Sequence, residues 1–536
     1  MMDRQLPSGE PLSRPRVSAI ALATMALISM SAGAAPLDLG NPDVEARWDN
    51  TIRATAGIRA QDRSPTIDNA FGFPYDQSNA LFPSKGDFIS KRLDLLTEFD
   101  LAWQKKYGFR VSGAAWYDGA YGSQAASTPN PTAYVNNQFT SPVTRYYRGP
   151  SGELLDAYVY GHFDAGSTPI DARLGKQALI WGEGLFGSTN SVAYSQVPSD
   201  GIKGAANPGA SAKETALPIA MASGVAQLND QMSLAAFYTF QWATNRLPEG
   251  GTYFAPADTV LQGPNVGREG PVKGEGGDIG LALRWRPSWL DQGTVGFYAR
   301  QFDEKGPWAS QLDAATNLRR AVYAHDVQLY GTSLTTVVAG GVSLGSEISY
   351  RRHMPLNSSG AAGPDSEGAR GDTLHALVNG VKAFGQTSLW SSSSVAAELA
   401  TSHLLSVTEN NALYKGNGNP ACALEPILSG CSTSTFWTAG ISFTPSWLQA
   451  LPGVDLSMPT FVSYNFKGNA PTNSGGFEGT KVAKIGLSAV AYARHQFDVT
   501  YTRYWSDHGV VAGRQLVLGA PYNDKGNVTL TYQYAF

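Results

Sequence analysis

The chain ends Leu530-Thr531-Tyr532-Gln533-Tyr534-Ala535-Phe536, with large apolar or aromatic side chains at every second position and Phe536 as the terminal residue. Strict alternation means a strand with one apolar face and one polar face. On an exported chain, a final strand that stops on its own aromatic fits the closing strand of a bacterial outer-membrane β-barrel. Tyr532, Tyr534 and Phe536 are then the expected assembly signal, and the barrel assembly machinery is an expected partner.

The N-terminus supplies the export signal. Arg14 and Arg16 precede an apolar run from Val17 to Met30, followed by Ala32-Gly33-Ala34. Charge, apolar stretch and small residues in this order predict a signal peptide over 1–34, cut after Ala34. The run is shorter than the ~20 residues a spanning helix needs. What remains, 35–536, shows no composition break or fixed-period repeat and is predicted to be one barrel domain.

Composition agrees. Charged residues make up 16% of the chain, against about 25% in an average soluble domain. A barrel has to keep charge off its lipid face. The 24 Tyr, 22 Phe, 12 Trp and 58 Gly suit a large all-β chain, and a net charge of −4 argues against nucleic acid as a partner. Outer-membrane lipid, lipopolysaccharide and a small-molecule solute are the partners such a barrel would meet.

The alternation recurs along the chain. In 91–104, Leu93, Leu95, Thr97, Phe99, Leu101 and Trp103 share one face, with Arg92, Asp94, Glu98 and Asp100 on the other. In 153–165, Leu155, Ala157, Val159 and Phe163 oppose Asp156, Tyr158, Tyr160, His162 and Asp164. The predicted strands are 45–58, 89–104, 108–119, 153–165, 169–181, 215–228, 231–243, 277–287, 293–303, 325–338, 341–352, 372–384, 387–402, 434–446, 457–467, 479–493, 496–506 and 526–536. Short and long connections alternate, as short periplasmic turns and long outside loops require. The expectation is a transmembrane antiparallel barrel of about 18 strands, with about 16 as the alternative. Cys422 and Cys431, the two cysteines, fall in one outside loop and are expected to form a disulfide staple rather than a metal site.

A family resemblance gathers in the middle of the chain. It lies in Leu155-Asp156-Ala157-Tyr158-Val159-Tyr160, Arg173-Leu174-Gly175-Lys176-Gln177, Trp181-Gly182-Glu183, Asn207-Pro208-Gly209 and Lys213-Glu214. It continues in Leu329-Tyr330-Gly331-Thr332-Ser333, Glu347-Ile348-Ser349-Tyr350-Arg351 and Pro452-Gly453-Val454-Asp455. Together these segments resemble the domain-of-unknown-function 1302 family of Gram-negative outer-membrane proteins. The resemblance implies an outer-membrane barrel tied to uptake of poorly soluble carbon compounds.

Several motifs read as structure. Gly182-Glu183-Gly184-Leu185-Phe186-Gly187 matches a dinucleotide fingerprint, but loop residues follow where a helix has to start. Gly341-Val342-Ser343-Leu344-Gly345 matches a nucleophile elbow, yet Ser343 opens an alternating strand. The seven His residues are scattered. No enzyme, cofactor or metal is expected.

The stretch 182–214 is the main functional candidate. It is longer than most loops, and barrels of this size leave a channel unless something fills it. Folded inward, it would form a constriction. Lys176, Gln177, Trp181, Glu183, Lys213 and Glu214, with Asp156 and Arg173, are the candidates for the constriction and solute path. A solvated surface loop is the alternative. The expected function is passive uptake of small, hydrophobic or aromatic solutes. A plugged structural or surface-interaction barrel is the first alternative, and an outer-membrane hydrolase the second.

Overall fold

The computed structural model describes residues 35–68, 81–124, 138–186, 188–206, 215–255, 273–290, 292–308, 311–312, 319–359, 367–473 and 475–536. The expected signal peptide, 1–34, lies outside them. Eighteen antiparallel strands close into one barrel. They are β1 (Val44–Arg59), β2 (Phe88–Trp103), β3 (Tyr107–Asp118), β4 (Ser151–Ala165), β5 (Thr168–Gln177), β6 (Ile219–Gln227), β7 (Met232–Thr239), β8 (Ile279–Trp285) and β9 (Thr294–Phe302). The second half holds β10 (Val327–Val338), β11 (Val342–Pro355), β12 (Arg370–Phe384), β13 (Ser392–Glu409) and β14 (Thr435–Leu451). β15 comes in two pieces, Val454–Ser457 and Thr460–Lys467, and β16 (Lys481–Ala491), β17 (His495–Trp505) and β18 (Asn527–Ala535) complete the wall.

Each strand pairs with its sequence neighbour, and β18 pairs with β1 from Thr51↔Ala535 to Arg59↔Asn527. Phe536 extends that seam, exchanging backbone hydrogen bonds of 2.9 Å with Asn50 in both directions. Closure leaves no edge strand, the one condition under which a sheet can sit in lipid.

Alternation sorts the side chains. Leu93, Val159, Leu174, Ile348, Leu487 and Leu530 point outward and are exposed to the bilayer, whereas Arg53, Ser112, Glu347, Ser349, Arg351, His375 and Glu398 point inward and are buried. The short turns lie at one end. Gln104 and Lys105 between β2 and β3 both take positive φ, as do Tyr492 and Ala493 between β16 and β17. That is the backbone of a tight hairpin whose twist matches its strands. By the rule of short periplasmic turns, this end faces the periplasm.

Two local expectations are corrected. Leu155 is buried and Leu154 exposed, because the β3–β4 register slips between Val111 and Gly113; the extra residue turns the following side chains over. The strand predicted over 457–467 is interrupted at Met458-Pro459, since proline has no N–H for the ladder. One further piece, Ala35–Leu37, pairs antiparallel with β1.

Candidate functional site

After β5 the chain does not return along the outside. Residues 178–186 and 188–206 run across the barrel interior with, among the described residues, only a short 3-10 turn (Ser188–Asn190) and a short helix (Gly201–Ala206). Irregular backbone at membrane depth must find hydrogen-bond partners in protein, because lipid offers none. The inward rows of the wall provide them.

Glu347 on β11 accepts the amide of Val192 at 2.6 Å, the Ser191 hydroxyl at 3.3 Å and the amide of Glu183. Glu398 on β13 accepts the amides of Leu185 at 2.6 Å and Phe186 at 3.3 Å. The loop carbonyls meet donors. Arg351 donates to Thr189 and Ser191 at 2.8 and 3.0 Å, and Arg300 to Val192 and Tyr194 at 2.7 and 2.8 Å. Asn379 donates to the Glu183 carbonyl at 2.6 Å, and His375 Nδ1 lies 2.9 Å from Asn190 Oδ1. Wall carboxylates therefore hold loop amides, and wall guanidinium groups hold loop carbonyls. Bonds of this charge-assisted kind are the stronger class.

Apolar contacts complete the seat. Trp181 packs on Phe237 and Tyr298, with ring centroids 5.0 and 6.2 Å away, and Tyr194 packs on Phe302 at 6.2 Å. Phe186 meets Phe461 of β15 at 5.1 Å. Gly440 on β14 makes room for that ring: a Cβ there would sit 2.9 Å from it.

A second cluster lies nearer the outside. Arg246 donates to Glu153 at 2.7 Å and to Asp200 at 2.8 Å, Lys203 also pairs with Glu153, and the Arg246 guanidinium stacks over Tyr146 at 4.4 Å. Burial works against the charge of Arg246, but the Glu153 carboxylate outweighs it and holds the guanidinium pKa above its ordinary value. Beside this network, Phe82, Tyr121, Phe139, Val143, Tyr147, Tyr253 and Phe254 from several outside loops pack into a buried aromatic group. Burial raises the Tyr121 and Tyr147 hydroxyls above the usual phenol range.

The lumen is thus two-sided. On the covered side, Arg351, Thr373 and His375 are fully buried beneath the loop. On the β1–β5 side some inward residues of β5 remain wet: Arg173 is exposed and the Asp171 side chain is 74% accessible, whereas Arg53, Arg92 and Ser112 are buried. Arg173 lies over the Tyr158 ring at 5.4 Å, and Arg110 sits among Glu98, Asp100 and Asp156.

A family model described as Protein of unknown function (DUF1302) matches residues 16–536. The chain belongs to the DUF1302 family. The curated proteins contain no significant match. Among solved structures, the DUF1302 chain is similar to Acinetobacter baumannii OccAB1, at 10% identity over 92% of this chain and 96% of that one, with a TM-score of 0.42. It is also similar to Pseudomonas aeruginosa OpdK with vanillate, at 9% identity, 92% and 98% coverage and a TM-score of 0.42. Pseudomonas aeruginosa OccK9 (OpdG) gives 10% identity, 92% and 98% coverage and a TM-score of 0.45.

The candidate residues of this DUF1302 barrel fall in different places. Glu183 lies within the inward loop. Trp181 is buried in the loop's apolar seat and takes no part in the wet surface. Gln177 donates to the Met221 carbonyl at 3.2 Å and accepts from Ser223, so it braces the wall. Lys176 donates to the Leu154 carbonyl of the preceding strand, β4. Arg173 is exposed on the β5 wall, and Asp156 on β4 is half-buried beside Arg110. Lys213 and Glu214 lie outside the described residues, as does Asn207-Pro208-Gly209. Glu347, Arg351 and Glu398 were not among the candidates, yet they face inward and hold the loop. Their signal was a carboxylate and a guanidinium on the inward row of one strand. Among the described residues, no three His, Cys, Asp or Glu side chains are grouped as a metal would require.

Proposed function

We propose that this barrel is a passive outer-membrane channel for small hydrophobic or aromatic solutes, narrowed by the segment that begins at 178. The observation that carries the reading is the two-sided lumen. One wall is sealed by an anchored loop, while the facing wall keeps the charged Arg173 of β5 in water. A plug filling the section at the level of Arg173 would not leave that side chain accessible. Solute enters between the outside loops, passes the loop tip at Phe186 and leaves along the β1–β5 wall. Every pair of neighbouring strands is hydrogen-bonded, which favours an axial path over a lateral one. Lys213 and Glu214, continuing the same loop, remain part of the proposed constriction. Removal of 1–34, insertion by the barrel assembly machinery and contact with lipopolysaccharide belong to the same proposal.

The buried aromatic group of the outside loops favours a second reading, in which the mouth is shut and the barrel serves as a surface scaffold. Liposome swelling with neutral solutes of graded size separates the two. The channel admits the smaller solutes and rejects the larger. A shut barrel admits none at any size, and that result would overturn the channel reading.

A further inference from the structure

Lys484 on β16 faces the lumen. Its neighbour Ile485 is exposed to lipid, and its cross-strand partners are Phe461 on β15 and the buried Thr502 on β17. Among the described residues, its ammonium has neither an ion pair nor a hydrogen bond. The other inward cations discussed above are occupied: Arg300 and Arg351 hold the loop, Arg110 sits among acids, and Arg173 lies over Tyr158. Lys484 is instead half-buried beside an aromatic pair, since its partner Phe461 packs on Phe186. Phe186 is itself fixed, by the Glu398 carboxylate on its amide and by the room left at Gly440.

We propose that Lys484, Phe461 and Phe186 form a luminal binding site for an organic monocarboxylate with an apolar body. This rests on the channel reading of the same lumen. A half-buried luminal ammonium without a protein partner, set beside an aromatic pair, favours an anion. The rings add apolar surface and offset stacking that a bare anion cannot use. The two features together select for carboxylates that carry an aromatic or alkyl group.

Titration calorimetry of the full barrel in detergent tests this with benzoate, hexanoate, acetate and benzamide. Benzoate and hexanoate bind about tenfold more tightly than acetate, which lacks the body, and than benzamide, which lacks the charge. Lys484→Met brings benzoate down to the level of benzamide, Lys484→Arg keeps the preference, and Phe186→Ala weakens benzoate and benzamide together. Wild type that binds no benzoate, or Lys484→Met that binds it as wild type does, overturns the site. Acetate binding as tightly as benzoate overturns its apolar half. The titration needs no current, so a barrel that is silent in a bilayer overturns the channel reading separately.

Discussion

Glu347 and Arg351 stand on the same inward row of β11 and grip opposite polarities of one loop. Glu347 accepts the amide of Val192, and Arg351 donates to the carbonyl of Ser191, the residue before it. A single strand thereby satisfies both sides of a stretch of backbone that makes no secondary structure of its own.

Removing one grip should loosen the loop more than the barrel. Arg351→Met strips donors from the buried Ser191 carbonyl and the half-buried Thr189 carbonyl, and leaves Glu347 without its cation on the same strand. The expected cost is about 3 kcal/mol, read as a lower unfolding midpoint in detergent. Limited proteolysis should show new cleavage between 182 and 196. An unchanged midpoint with no new cleavage would mean that the loop is held by its apolar contacts alone.

The loop carries its own pH dependence. Burial, then the charge of nearby Glu347, raises the Glu183 carboxyl above its ordinary 4.5, with Arg284 partly offsetting them. Above that ordinary value the folded state therefore keeps a proton that the unfolded chain has lost. Folding binds protons there, so stability falls as pH rises through the window from 4.5 upward. Glu183→Gln removes this cost. Its melting temperature should exceed that of wild type at pH 8, with the gap closing toward pH 4. A gap that stays constant with pH would contradict the assignment.

Cys422 and Cys431 are joined in the outside loop between β13 and β14. The bridge closes a short loop, worth ~2–3 kcal/mol at most in the chain-entropy model, and it acts outside the wall. Protein denatured without reductant should show no free thiol, and Cys431→Ser should leave the melting temperature of the barrel almost unchanged. Two free thiols before reduction would refute the staple.

Phe536 lies on the closing seam, bonded to Asn50 through both backbone groups and stacked on Tyr534 at 5.3 Å. Its deletion removes two seam hydrogen bonds and the last aromatic. Folded, heat-modifiable protein in the outer membrane should drop several-fold. Wild-type levels would count against Phe536 as part of the assembly signal.

The wall was legible from the sequence because lipid enforces alternation. Leu93 to Trp103 could face only one way, and the predicted 45–58 became Val44–Arg59. Errors arose where backbone chemistry broke the period, at the β3–β4 register slip before Leu155 and at Pro459. The interior was harder. Glu347, Arg351 and Glu398 are polar residues on a polar face, and period two says nothing about which loop will meet them. The loop length suggested an inward segment, but its anchors lie more than 100 residues away in the chain, as the Val192–Arg300 and Val192–Glu347 bonds show. The aromatic group of Phe82, Tyr121 and Tyr253 was invisible for a related reason, since loops have no period to read.

In the proposed channel the segment from 178 narrows a conducting lumen. Single-channel conductance in a planar bilayer tests it most directly, comparing wild type with a variant in which 184–190 is replaced by two glycines. The barrel should tolerate the change, because its strands pair without the loop. The shortened variant should conduct markedly more per channel and discriminate less between small and large ions. Equal conductance in the two proteins would place the loop outside the solute path and rule out a constriction there.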